Sequence, residues 1–400
     1  MRRLLPLAIL WLTLAACGSS PESIEPPAPL AAFTPELTVQ PQWVVRLGKG
    51  GDGYFVKLPP LLDAGRVYAA NEAGEVAAFD ARRGTRLWRN RLGTALYVGP
   101  ADGGDVVLLG GREEVIALAK RDGSVAWRVN VGNEVLAAPV RAGDTVIART
   151  VDGKVHAIDV PTGNIRWRFS QEVPALSLRG ISTPLVVGDM VVSGFANGKV
   201  IALALTDGAQ LWEAVIAVPR GRNELERMVD VDAQLTARGD LLFAAGYHGQ
   251  LAALSLRSGQ LLWSREISSW SGSALAEDNL YLSDDKGDLW ALSSRNGATL
   301  WKQTALHART LSVPVVQGDY LVVGDYDGYL HWIARDDGRI VARVRVEDAD
   351  YYWPVPSDEP QNEYHEDRTV LAPPVVAGDT VYAMDKRGVL AVFQVSLHHP

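Results

Sequence analysis

The chain has 400 residues, longer than a single compact domain of usual size; at 47% hydrophobic and 22% charged it is neither disordered nor a multi-span membrane protein. One Cys forbids an intramolecular disulfide framework and any Cys-rich zinc or iron–sulfur site. A net charge of −8, from 39 basic and 47 acidic side chains, offers no clustered Lys and Arg excess for nucleic acid.

In chain order, the first element is an address. Arg2 and Arg3 give a positive start, Leu4 to Leu14 an apolar stretch too short to span a bilayer, and Leu14-Ala15-Ala16 puts small residues before the only cysteine, Cys17. The pattern resembles the bacterial lipobox, which implies a signal peptide over 1–16, diacylglycerol on the Cys17 thiol and acylation of the new amine, a durable multi-chain anchor. Removing Arg2 and Arg3 leaves 37 basic against 47 acidic side chains, a mature charge of −10. Gly18 stands where an Asp favours retention at the inner membrane, so the resemblance implies the outer membrane, periplasmic side. Residues 17–42, with Pro21, Pro26, Pro27, Pro29, Pro35 and Pro41, read as an extended tether.

A repeat fills the remainder. Trp stands at 43, 88, 127, 167, 212, 263 and 301, at spacings of 45, 39, 40, 45, 51 and 38 residues. Six of them follow a Gly by four positions, as in Gly84-Thr-Arg-Leu-Trp88 and Gly259-Gln-Leu-Leu-Trp263, and a seventh copy, Gly338-Arg-Ile-Val-Ala342, lacks the Trp. Before each comes a Gly-x-Val/Leu-x-Ala strand pattern, such as Gly198-Lys-Val-Ile-Ala-Leu203, and before that a strand, a Gly-Asp turn and a strand, as in Pro314 to Val322. Four short strands in about 40–45 residues define a propeller blade. Eight strand-turn-strand units begin near Leu58, Val98, Ala138, Thr183, Asp232, Ser273, Val313 and Pro373, but the Trp-type strands run out of phase by one. The last unit has three strands and Trp43 to Leu47 is an orphan, so the spacing predicts an all-β, eight-bladed propeller over 43–396, closed by the N-terminal strand. The Trp residues are expected to pack between neighbouring sheets, opposite Ala78, Ala117, Ala157, Ala202, Ala253 and Ala291.

The repeat resembles the pyrroloquinoline-quinone-type propeller, a superfamily with dehydrogenase and scaffold branches. The dehydrogenase branch implies a vicinal Cys pair, which one Cys cannot supply. Asp325-Tyr-Asp327-Gly328 and Asp284-Asp285-Lys-Gly287-Asp288 lack EF-hand spacing and fall at repeated turns, where turn chemistry accounts for them. His156, His248, His307 and His331 lie in different repeats without metal-ligand spacing, and His398-His399 reads as a disordered tail. The expectation is no cofactor, no metal and no catalysis.

Two links are stretched: 173–180, with Leu176, Leu178 and Arg179, and 220–232, with Glu224, Glu226, Asp230 and Asp232. Both join consecutive blades and so share one face, where binding loops of repeat proteins gather. Apolar and charged groups together suit a protein interface, although Leu176 and Leu178 folded back on blade edges is an equal reading from composition. The lipobox, the eight repeats, Ser177-Leu-Arg-Gly180, Glu224-Leu-Glu-Arg227, Asp230-Val-Asp232 and Gly328-Tyr-Leu-His-Trp332 together resemble the BamB family, the propeller lipoproteins of the outer-membrane β-barrel assembly (BAM) machinery. That resemblance implies a non-enzymatic scaffold whose Leu176, Leu178, Arg179, Asp230 and Asp232 dock onto the periplasmic POTRA domains of BamA, aiding barrel insertion. Apart from the resemblance, pairing of exposed blade edges with unfolded outer-membrane strands is a hypothesis the sequence permits. An acidic segment, 347–370, departs from the pattern and reads as a solvated loop, with an extra partner or cation site as the alternative. A quinoprotein-like dehydrogenase and a glycan-binding periplasmic propeller are the rival readings.

Overall fold

The middle strands of each repeat are apolar at almost every position, as strands buried on both faces must be, whereas the Trp strands alternate. Val76 to Phe79 and Val200 to Leu203 are buried, while Arg86–Arg91 and Gln210–Val215 bury mainly their Trp. A computed structural model describes residues 25–48, 56–174, 182–218, 228–231, 233–347 and 367–398. Among them, 32 strands form eight four-stranded antiparallel sheets, blades 1 to 8: 61–91, 96–130, 140–170, 185–215, 236–265, 273–303, 315–345, and 375–397 joined by 37–46. The short first strands of neighbouring blades touch one another and line the axis. The expected fold is the observed one.

Closure is made by the strand Leu37–Arg46, which pairs antiparallel with Val389–Leu397 from Leu37↔Leu397 to Arg46↔Val389. The ladder is irregular between Pro41 and Trp43, at the residue that lacks a backbone N–H. This strand starts at Leu37, ahead of the Trp43 read from sequence. His398 belongs to the same seam: its N–H donates to Glu36 O at 2.8 Å and its Nδ1 lies 3.1 Å from Thr38 Oγ1, so the expected tail disorder does not hold at this residue.

Six of the seven Trp face their expected Ala across the ladder, from Ala78↔Trp88 to Ala291↔Trp301, and Trp43 on the closing strand faces Val392. Each indole then reaches the following blade. The Nε1–H groups of Trp43, Trp88, Trp127, Trp167, Trp212, Trp263 and Trp301 donate to Ala81, Lys120, Val160, Leu205, Leu256, Ser294 and Arg335 carbonyls at 2.7–3.1 Å. The ring sits on the next blade's motif glycine: at Gly123 and Gly259, both at positive φ, an added Cβ would come within 2.4 and 2.5 Å of Trp88 and Trp212. Gly-x-x-x-Trp is thus a socket and a plug: blades 1 to 6 each receive one Trp and extend another, blade 7 only receives one and blade 8 only extends one.

Blade 7 breaks the pattern for a physical reason. Blade 8 takes its outer strand from the N-terminus and so has no turn between third and fourth strands to serve as a socket. Ala342 replaces the plug, and the large ring moves across the ladder to Trp332, paired with Ala342 and fully buried. Trp332 Nε1 donates to Gln317 Oε1 at 2.7 Å, and Gln317 Nε2 to Gly378 O of blade 8 at 3.0 Å, a relay that replaces the direct bond.

Candidate partner-binding face

Strand direction puts the links between blades on the same face as the turns between second and third strands. The link from blade 3 to blade 4 begins where Gln171 N–H donates to Gly153 O at 3.0 Å, and its Glu172 carbonyl accepts from Asn197 Nδ2 at 3.1 Å. It ends on Ser182, whose buried Oγ accepts from Gly194 N–H at 3.2 Å and Arg149 Nη1 at 3.4 Å. Leu176, Leu178 and Arg179 fall between these feet in sequence and, like Cys17 and Asp232, lie outside the described residues.

The link from blade 4 to blade 5 leaves through Ile216 and Ala217, whose N–H groups both donate to Gly198 O, at 2.9 and 3.2 Å. Val218 follows, 58% exposed. The return is buried: Val229, Asp230 and Val231 are 3%, 1% and 0% exposed. Val231 N–H donates to Phe195 O at 3.3 Å, and Asp230 O accepts from Tyr247 N–H at 2.8 Å. Asp230 therefore forms the foot of this loop rather than presenting an open carboxylate. That distinction was hidden in the sequence, because the Tyr247 pairing comes from the next blade.

One turn ties the feet of both loops. Residues 195–198 of blade 4 hold the first through Asn197 and the second through Phe195 O and Gly198 O. Phe195 is fully buried, edge-on to Phe169 at 6.3 Å, with the Arg149 guanidinium 4.6 Å from its ring. Across the axis, Lys57 Nζ lies 4.9 Å from the Trp270 ring, linking the approach to blade 1 with that to blade 6. The acidic segment is tied at its ends by Arg368–Glu347 at 2.7 Å and Lys386–Asp367 at 2.8 Å; 348–366 lies outside the described residues.

The Asp-rich turns spend their carboxylates on the chain itself. Asp325 Oδ1 accepts from the N–H groups of Asp327 and Tyr329, while Oδ2 accepts from Arg309 Nε at 2.8 Å and faces His331 Nε2 at 2.9 Å. Burial pushes the Asp325 pKa up, but the His331 hydrogen bond and charge, together with the Tyr329 N–H and the Arg309 charge, outweigh it and the net shift is downward. Asp284 accepts from Lys286 and Asp288 N–H and from Trp290 Nε1. Among the described residues no group of three or more His, Cys, Asp or Glu is placed to hold a metal. His156 is 1% exposed, and burial lowers its pKa to about 4.

An unexpected feature starts on the same face and runs down the rim. Residues 25–36, read as tether, lie along the outer strand of blade 7. Ala28 N–H donates to His307 O at 2.9 Å, and buried Arg309 donates Nη1 to Ala28 O at 3.1 Å. Arg343 donates to Ala31 O at 3.3 Å and stacks 5.1 Å from the Phe33 ring. Glu36 takes a two-pronged bond from Arg339 at 2.7 and 3.0 Å, while its N–H donates to Val341 O at 2.9 Å. His307 stands between Asp288 at 2.7 Å and Glu25 at 3.2 Å; the bond to Asp288, then that to Glu25, raises its pKa. The signal for docking was Phe33 within a run of Pro and Ala, but its partners lie some 300 positions away.

These features define a class: an eight-bladed propeller of quinoprotein-type repeats whose elaborated loops gather on one face. The family model described as outer membrane protein assembly factor BamB matches residues 72–303. Proteins of that name from Shewanella oneidensis and Pseudomonas aeruginosa are 33% and 38% identical over 405 and 342 residues. The alignments cover 98% and 85% of this chain and 98% and 90% of the relatives. The crystal structure of BamB from Moraxella catarrhalis superposes with a TM-score of 0.76 at 27% identity, over 89% of this chain and all of that one. Quinohemoprotein alcohol dehydrogenase from Comamonas testosteroni, at 13% identity and TM-score 0.69, shares the fold, covering 89% of this chain and 76% of its own. The chain belongs to the BamB family of outer membrane protein assembly factors. It is a non-enzymatic scaffold of the BAM complex, associated with the outer membrane on its periplasmic side.

Proposed function

We propose that loops 173–181 and 219–232 form one composite docking site for the periplasmic POTRA domains of BamA, and that the protein holds this site at the inner leaflet through acyl chains on Cys17. The observation that supports the reading is the 195–198 turn, hydrogen-bonded to Glu172 at the foot of one loop and to Ile216, Ala217 and Val231 at the feet of the other, so that the two loops are rooted side by side. In it Leu176 and Leu178 bury apolar area, while Arg179 and Asp232 set register by charge. Asp230, 1% exposed, positions the loop through its backbone pairing with Tyr247.

A second reading concerns client strands. Leu87, Leu211, Leu262 and Leu300 sit beside the plug Trp on outer strands and are 47–52% exposed, an apolar edge suited to pairing with unfolded barrel segments. Photo-crosslinkers at positions 176, 178 and 232 test the first reading, with one at 295 on the opposite face as control. Capture of BamA at the three loop positions alone supports it; capture at 295 alone rejects it.

A further inference from the structure

Residues 25–36 change what the N-terminal segment can do. Glu25 and Ala28 lie against His307 and Arg309 in the link between blades 6 and 7, on the loop face, because Ala308 N–H in that link donates to Lys286 O of a second-to-third-strand turn. Ala31 and Phe33 meet Arg343 midway along the outer strand Ile340–Arg345. Glu36 meets Val341 and Arg339 at the opposite end. The segment thus runs antiparallel to this strand, from the loop face to the far face, and turns back as the closing strand. Val341 beneath it is fully buried, whereas Leu87, Leu211 and Leu300 at the same place in other blades are about half exposed.

We infer that residues 25–36 are a docked strap which makes the chain emerge on the loop face and turns that face toward the lipid surface. The inference rests on the proposed acylation of Cys17. From Cys17 to Glu25 there are eight residue steps, which reach at most about 29 Å at about 3.6 Å each. A free tether through residue 42 would impose no orientation, since either face lies within its reach. With the strap docked, the leash roots at the loop-face rim, so the loop face meets the bilayer with the leash slack, whereas the far face, roughly 20 Å further down the rim at about 3.3 Å per residue, meets it only with the leash drawn out over most of its length, at a cost in chain entropy. The partner surface on the loops is therefore presented to proteins that sit next to the membrane. Eight blades divide the ring into steps of about 45°, so the anchor emerges about 135° from the link between blades 3 and 4 and leaves the docking loops uncovered.

The test uses the full mature chain in liposomes carrying a headgroup-linked energy acceptor. Acylated Cys17 has no free thiol, so Lys286→Cys on the loop face and Arg295→Cys on the far face each give one donor site, both exposed and in blade 6. They are separated by the strand Leu289–Ser293 and its turns, roughly 20 Å at about 3.3 Å per residue. The expected result is several-fold stronger energy transfer from position 286 than from 295. Phe33→Ala/Arg339→Ala, checked by melting for an intact fold, should release the strap and abolish the difference. Equal transfer in an acylated wild-type chain overturns the orientation alone. Mass spectrometry showing no acyl group on Cys17 overturns the anchoring reading and this inference together.

Discussion

The socket-and-plug account of the blades makes a graded prediction at Trp212. Its indole is 9% exposed, rests on Gly259 and donates to Leu256 O at 3.0 Å, whereas neighbouring Leu211 is 52% exposed. Trp212→Ala removes a large ring between two blades that cannot collapse independently, and should cost about 3–5 kcal/mol. Trp212→Phe keeps most of the packing but strands the Leu256 carbonyl, costing about 1–3 kcal/mol. Leu211→Ala should cost under about 0.5 kcal/mol. With an unfolding entropy of about 2.1 cal/mol/K per residue over about 340 ordered residues, each 1 kcal/mol lowers Tm by about 1.4 °C. Calorimetry should then show falls of about 4–7 °C, 1–4 °C and less than 1 °C for the three variants. Equal shifts for Leu211→Ala and Trp212→Ala would refute the plug role.

Three further outcomes follow from the same structure. Deleting 40–48 removes most of the closing strand and should unfold the whole ring, read as loss of the cooperative melt; an unchanged midpoint contradicts closure by this strand. His156 is buried with its pKa lowered to about 4, so the unfolded chain binds the extra proton first and stability falls as pH drops from about 6.5 to about 4, by about 3 kcal/mol from this group. His156→Leu should flatten that limb relative to wild type in pH-dependent denaturant melts; Asp385, raised to about 6 by burial, acts oppositely over part of the same range but is common to both proteins. Gly198→Ala forces a side chain at φ +78 to within 2.0 Å of Ala217 O, and should lower Tm and weaken BamA binding together, since it dislodges the foot of the second loop.

The ring was legible because its recurring contact is local in sequence: Gly and Trp four apart mark socket and plug in every blade. Closure followed from phase, since eight Trp-type strands ran one step out of register with eight strand pairs. Missing Trp at Ala342 was visible, but its cause, the absent turn in blade 8, needed the assembled seam. The strap was illegible: Pro and Ala between 26 and 35 carry no strand or helix pattern, and what holds them are Arg309, Arg339 and Arg343. Asp230 likewise was marked as a docking residue, because only the fold brings Tyr247 beside its backbone and buries its side chain. Residues of the candidate site that lie on loops were marked by stretched spacing and by resemblance, not by any periodic pattern.

In the proposed function, two loops whose feet share one turn make a single BamA-binding site. Calorimetric titration of the BamA periplasmic region into wild type, Leu178→Ala/Arg179→Ala, Asp232→Ala and the combination tests it directly, with melting curves to confirm folding. The account predicts that each loop variant loses at least about tenfold in affinity, about 1.4 kcal/mol, and that the combined variant falls short of the sum because the loops act as one site. Wild-type affinity in the folded combined variant would contradict it.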